Sequence, residues 1–365
     1  TLINLSKKFG KIYLVNIGNI TGLKKNSYNY KFNNTKFFEL INPKNLTELN
    51  IFLKDKKIVV LHSIMRTLNN LPLLILLKFN DVKLVELSNL GNIQIGTEYF
   101  VGAKSIRSFR HVFIKNLIKK IFNILAILKI ISKVECKFVS NKKIYKNFKN
   151  KSKLNKFFSY YKDIIFVKSN IYEIESKKKI IEKYIVLIDI FPLYGQFTDY
   201  MKVDNSKLNN HYSNLNKLLN YLSKILKKKV IVCIHPKYPI SVYKKFLPNK
   251  KVIKYMTEKY IEMSHVVLQY NSSAILCAIK HNKKIISVQA EVFKGIKYSS
   301  SIYQERLGTE VITLKKEYTI NRDKLIKQLN KRVKNYSNYK KLYFGTENKN
   351  LSSKDIGKYL TKFNN

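Results

Sequence analysis

Three apolar runs in the second half of the chain each end on residues able to do chemistry. Lys183–Ile190 carries Asp189 near its end, with Tyr194, Gln196 and Asp199 in the segment behind it. Lys229–Ile234 leads into His235, Pro236 and Lys237, and His265–Leu268 leads into Gln269, Tyr270, Asn271, Ser272 and Ser273. Asp189 can act as a general base or bond the loop that follows it. His235 can donate to a phosphate oxygen or protonate a leaving group, or it can close a strand end against backbone. Ser272 and Ser273 at a helix start offer two hydroxyls beside open backbone N–H groups at the positive end of a dipole, which suits a phosphate. Asn271 or Ser272 can equally be a plain N-cap. Lys237 is one of many lysines, and Glu258 opens a helix where a carboxylate is favourable on structural grounds alone.

The elements that would position these residues follow from the apolar pattern. Short β-branched runs alternate with helical stretches throughout, the pattern of α/β architecture. Lys183–Ile190 is nearly continuous in apolar residues, as expected of a parallel strand covered on both faces. Helices are predicted over Lys207–Lys227, Thr257–Ser264 and Asn271–Ile279, with further strands at Lys251–Tyr255 and Lys284–Val288. In an open parallel sheet, ligands bind outside the carboxyl ends of the strands, so one crevice could gather all three strand ends.

The first half repeats the alternation less cleanly. Strands are predicted at Lys11–Ile17, Lys57–His62, Val82–Leu87 and Asp163–Lys168, with helices entering near Asn70–Pro72 and over Ile144–Ser159. A long basic helix is predicted over Ser105–Ser132. Asn116, Lys119, Lys120 and Asn123 form one polar face on it, and Leu117, Ile121, Ile124, Leu125 and Leu128 belong to an apolar remainder. That remainder can pack into a core or lie on anionic lipid. Ser169–Glu182 reads as an interdomain linker, and residues 320–365 read as helical with an interruption near Tyr343–Asn348. The expected division is an N-terminal domain over 1–175, a second domain over 176–325 and a helical segment over 326–365.

The 365 residues hold 70 Lys+Arg against 23 Asp+Glu, a net charge of +47. Such a charge attracts nucleic acid, anionic lipid or phosphorylated ligands without choosing among them. An apolar content of 45% excludes a disordered polycation. Cys136, Cys233 and Cys277 are too scattered for a disulfide framework or a zinc site and read as buried small hydrophobes in a reducing compartment. The start of the chain does not read as a signal peptide. The longest uncharged apolar segments, Thr67–Leu77 and Ile121–Leu128, fall short of the roughly 18–20 residues of a spanning helix. The chain is therefore expected not to be integral to a membrane.

Taken in order, Asp189, His235-Pro236 and Ser272-Ser273 resemble the motifs of bacterial sialyltransferases, polysialyltransferases and capsule Kdo-transferase-like enzymes. Those families carry an acidic residue near the interdomain cleft, then His-Pro, then Ser-Ser. Tyr184–Val288 is the segment that carries the likeness, and the last two motifs lie 37 residues apart. The resemblance implies a GT-B fold, two Rossmann-like domains facing a cleft, with the C-terminal helices packing back on the first. It implies transfer of a nonulosonic acid or Kdo from a CMP-sugar to a surface glycan or lipid-linked acceptor. In that scheme Asp189 takes the acceptor's proton, and His235 faces the departing phosphate. Ser272 and Ser273 hold that phosphate without a metal, and Pro236, Lys237, Asn271 and Glu258 line the donor. Asn19, His62, Arg66, Asn89 and Asp199 are the acceptor-side candidates. No cofactor beyond the nucleotide sugar is implied. The expected setting is the cytoplasmic face of an anionic membrane, with no specific nucleic acid partner. The competing readings are a UDP- or GDP-sugar-dependent GT-B transferase and a non-catalytic basic protein binding nucleic acid or a membrane surface.

Overall fold

The computed structural model of the protein describes residues 5, 8–9, 12–15, 20, 38–54, 56, 58–62, 67–87, 106–169, 181–189, 205–235, 239–270, 272, 274–290, 307–314, 319–330, 336–348 and 352–363. The chain divides into two compact units. One comprises residues 1–91, 100–174 and 341–365, and the other 92–99 and 175–340.

In the first unit, β1 (Ile12–Val15) pairs in parallel with β2 (Phe38–Ile41). A second sheet sets β3 (Val59–His62), β4 (Lys83–Leu87), β5 (Val134–Val139) and β6 (Tyr161–Phe166) side by side in chain order, all parallel. The connections are helical: α1 (Leu46–Leu53), α2 (Leu71–Phe79), α3 (Ile106–Ile127), α4 (Lys142–Lys149) and α5 (Lys153–Phe157). Leu84 and Val134 pack with Leu49, Leu73, Leu77 and Phe122 from α1, α2 and α3. Val85, Cys136 and Phe138 pack instead with Ile356 and Leu360 of α12 (Ser352–Leu360), so the last helix completes this unit's core.

The second unit is one six-stranded parallel sheet made of β7 (Tyr184–Asp189), β8 (Lys229–Ile234), β9 (Lys251–Ile253), β10 (Ser264–Gln269), β11 (Lys284–Ala290) and β12 (Glu310–Leu314). Their spatial order is β12-β11-β10-β7-β8-β9. Counted from β7, this is the 3-2-1-4-5-6 order of doubly wound nucleotide-binding sheets, and the winding reverses between β7 and β10. The helices here are α6 (Asn205–Leu226), α7 (Ile240–Phe246), α8 (Thr257–Glu262), α9 (Ile275–Lys280) and α10 (Arg322–Asn330), followed by α11 (Tyr336–Tyr343). Leu208, Leu215, Leu219 and Leu222 recur at three-, four- and seven-residue spacing on α6 and bury against Ile185, Leu187, Val232 and Leu268.

The α/β class and the parallel, two-unit construction agree with the reading of the sequence. Several elements do not appear in that reading. Strands β2, β5 and β12 and helices α1 and α7 are additional, and the helix expected over 144–159 is two helices. Ser152 starts the second of these by accepting from the Asn155 backbone N–H at 3.2 Å. The interruption expected near Tyr343–Asn348 is a turn in which Gly345 has φ 60°.

Candidate functional site

The strand register brings the three chemical ends level. Asp189 pairs with Ile234 on β8, and Ile188 pairs with Gln269 on β10, so Asp189, Ile234 and Tyr270 stand in a row at the carboxyl edge. This row spans the reversal point of the winding, where open α/β sheets hold their ligands.

Side-chain alternation then divides the row between two faces. Ile185, Leu187, Ile234 and Tyr270 all belong to the core under α6, and Asp189 falls on that same face. There the Tyr212 hydroxyl of α6 donates to Asp189 Oδ2 at 2.9 Å. Asp189 is 1% exposed, and Tyr212 stacks on Phe246 with ring centroids 4.8 Å apart. Next to it, His211 Nε2 and the Tyr270 hydroxyl share a buried hydrogen bond of 2.8 Å. Burial drives the His211 imidazole down to about 3, so it is neutral at physiological pH. Burial, and then the Asp189 carboxylate, push the Tyr270 phenol well above its ordinary value. The same two causes, with Tyr243 beside them, raise Tyr212. Both tyrosines therefore remain hydrogen-bond donors.

His235, one residue past Ile234, falls to the opposite side and is exposed. Partial desolvation lowers its ring pKa below the ordinary 6.5. On this side too lies Gln269, fully buried, whose amide Nε2 donates to Ser287 Oγ at 2.9 Å. Its Oε1 accepts from the Ser272 backbone N–H at 3.4 Å, which ties the turn after β10 to β11. Ser272 Oγ accepts from the Ala274 N–H at 3.2 Å, and α9 begins at Ile275 with Ala274 in the cap position. Ser272 thus precedes the helix and shapes its approach.

Glu258 lies in the first turn of α8, where Lys280 Nζ donates to it at 2.9 Å and His281 Nε2 lies 3.9 Å away. His281 and Lys280 hold its carboxyl down at about 2, and the placement stitches α8 to α9. Pro236, Lys237, Asn271 and Ser273 lie outside the described residues, as do Asn19, Arg66, Asn89 and Asp199. His62 closes β3 opposite Glu86 of β4, and its side chain lies outside the description.

Tyr212 and His211 had no part in the sequence reading, because they sit on a helix more than twenty residues from the strand end they serve. The available signal was a His-Tyr pair inside the leucine spacing of α6. Among the described residues no group of three or more His, Cys, Asp or Glu could hold a metal ion. Cys136 and Cys233 are buried and Cys277 is half-buried, and desolvation pushes each thiol up to about 12. No described helix is long and apolar enough to cross a membrane.

Known structures match this architecture along almost its whole length. The UDP-GlcNAc 2-epimerase from Methanocaldococcus jannaschii is similar at 14% identity and a TM-score of 0.52, over 99% of this chain and 95% of that one. The calicheamicin glycosyltransferase CalG4 is similar at 10% identity and a TM-score of 0.52, over 99% and 93%. At such identity the likeness concerns the fold, and the fold is GT-B. Neither of these two is a sialyltransferase or a Kdo-transferase. No protein-family model and no curated protein matches the sequence.

Proposed function

We propose that this chain is a nucleotide-sugar-dependent glycosyltransferase whose donor is UDP- or GDP-activated and binds at the carboxyl edge of the second unit's sheet. The observation that carries this reading is the winding reversal between β7 and β10, with His235 and Ser272 at the edge around it. The name of the similar UDP-GlcNAc 2-epimerase favours a UDP-type donor over the CMP-type donor implied by the motif resemblance, and the similar CalG4 is named as a glycosyltransferase.

In the proposed reaction an acceptor hydroxyl attacks the anomeric carbon, the bond to the nucleotide phosphate breaks, and the acceptor's proton passes to a base. A His235 N–H and the Ser272 hydroxyl meet the charge growing on the leaving phosphate. Asp189, under Tyr212, is the proposed base or the anchor of the β7 end. Asp189→Asn separates the two roles. Lost transfer with donor binding and melting temperature intact assigns the base. A lowered melting temperature with turnover retained assigns the anchor. The proposed acceptor is a glycan or lipid-linked glycan, whose negative charge would complement +47.

Thermal melting with UDP, GDP, CDP, CMP and short single-stranded DNA tests the donor class. A ligand at a hundred times its Kd adds about 2.7 kcal/mol to the folded state, so the true donor nucleotide shifts the midpoint with dose. UDP or GDP is expected to do so, with the shift reduced in His235→Ala and Ser272→Ala. The serine variant also loses its turn hydrogen bond, at about 1 kcal/mol. A response to CMP alone would move the donor to CMP-activated nonulosonic acids or Kdo. A response to DNA alone, indifferent to both variants, would remove the enzyme reading. Product analysis by NMR distinguishes transfer to an acceptor from epimerisation of the sugar.

A further inference from the structure

Helix α3 has two apolar faces, and its core uses only one. Phe122 and Ala126 are buried with the sheet, and Ile118 and Leu125 pack beside them. Ile114, Leu117, Ile121, Ile124 and Leu128 recur at alternating three- and four-residue steps and are 37–62% exposed. At 100° per residue they form a single stripe, bordered by Lys120 on one side and by the packed face on the other. From Ile114 to Ile124 the stripe is about 15 Å long at 1.5 Å per residue.

The stripe leads to the amino-terminal edge of the first unit's larger sheet. Three successive turns enter β4, β5 and β6 there, on neighbouring strands. Phe79, 85% exposed, ends α2 just before the first, Leu128 and Ile130 lie in the second, and the exposed pair Phe157 and Phe158 stands at the end of α5 before the third. Lys133 joins the second to the third: its Nζ donates to the Phe157 carbonyl at 2.6 Å and lies 4.9 Å from the centre of that ring. Scattered apolar side chains are ordinary on a surface, but a stripe continuous with such an edge is not.

The charge around the stripe selects its occupant. Between Glu98 and Glu135 the sequence has no carboxylate and eight Lys or Arg residues. A second copy would bring the same positive charge against this face, which opposes pairing. Nucleic acid would meet the charge and leave the aliphatic stripe in water. A bilayer with anionic headgroups meets both, taking aliphatic side chains below the headgroups and lysines among them. We infer that the α3 stripe and the adjoining sheet edge are a docking face for an anionic lipid bilayer, on which the protein lies without spanning it. This inference is independent of the donor assignment.

Flotation of the full chain with phosphatidylcholine vesicles, with or without about 30% phosphatidylglycerol, tests it near physiological salt. The protein is expected to float with the anionic vesicles and to remain behind with the neutral ones. Ile121→Asn with Ile124→Asn should lower partitioning roughly tenfold or more with only a modest loss of melting temperature, because Ile121 is 37% and Ile124 54% exposed and asparagine is a slightly weaker helix former. The chain has no tryptophan, so Ile124→Trp gives a single reporter whose emission should move to shorter wavelength on anionic vesicles. Equal flotation of the double variant and wild type, or an unmoved emission, would overturn the inference. So would a wild-type dimer that the double variant dissolves, which would assign the stripe to a second copy.

Discussion

Burial holds His211 near a pKa of 3 in the folded chain, whereas the unfolded chain returns it to about 6.5. As pH falls through 6.5, the unfolded state gains a proton that the native state refuses. The associated stability is complete above that pH and drains between 6.5 and 3. For one proton the slope approaches about 1.4 kcal/mol per pH unit once the unfolded ring is mostly protonated, so moving from pH 6.5 to 5 costs roughly 1.6 kcal/mol. His211→Gln keeps a partner for Tyr270 without a titrating ring, and its stability should lack this component. Urea unfolding of both proteins across the interval measures the difference, and parallel pH profiles would refute it. At this scale the strand-end residues were legible because β-branched runs stop at them. The Tyr212 bond to Asp189 was not, since it depends on how α6 lies across β7.

At the scale of elements, Gly345 has a defined task. Its φ of 60° lies in the left-handed region, and an added Cβ would meet the Val167 carbonyl oxygen at 2.5 Å and the Phe166 ring at 3.1 Å. The turn it makes lets the Phe344 carbonyl accept from the Ser169 N–H at 2.8 Å and the Tyr343 carbonyl accept from Ser140 Oγ at 2.8 Å. Gly345→Ala should cost about 1–3 kcal/mol from strain and displaced contacts. Chemical denaturation checks this, and a change within about 0.5 kcal/mol would show that the turn relaxes freely. The interruption of the C-terminal helices was readable because a glycine and polar residues break the period there. Strand β5 was not, although the buried Val134, Cys136 and Phe138 alternate with Glu135 and Lys137. Its register against β4 slips at Glu135, so Val134 packs with α3 while Cys136 faces α12. A bulge hides the face assignment that strict alternation would have carried. The apolar residues of α3, whose pattern suits either a core or a lipid surface, are divided by the fold between a buried and an exposed face.

Across the whole molecule, 70 cationic and 23 anionic side chains repel one another on balance. Self-repulsion disfavours the compact state, and salt screens it with a Debye length of about 10 Å at 0.1 M. The melting midpoint should therefore rise from about 10 mM to about 0.3 M sodium chloride. A midpoint that stays flat or falls would mean that attractive pairs such as Lys162–Glu135 and Lys149–Asp163 outweigh the net charge. The last helix joins the first unit through Ile356 and Leu360.

The sequence by itself determined the α/β class, the parallel strands of the second unit, and which residue types stand at their carboxyl ends. Those properties are local: a run of β-branched residues, its length and the residue that ends it are written consecutively. Only the tertiary structure decided the strand order that puts the reversal between β7 and β10. It alone placed Asp189 beneath Tyr212 and His235 on the other side, and left the α3 stripe outside the core. Each of these depends on which distant segment covers a face, and burial and charge pairing are settled by that neighbour and not by the residue's own surroundings in the chain.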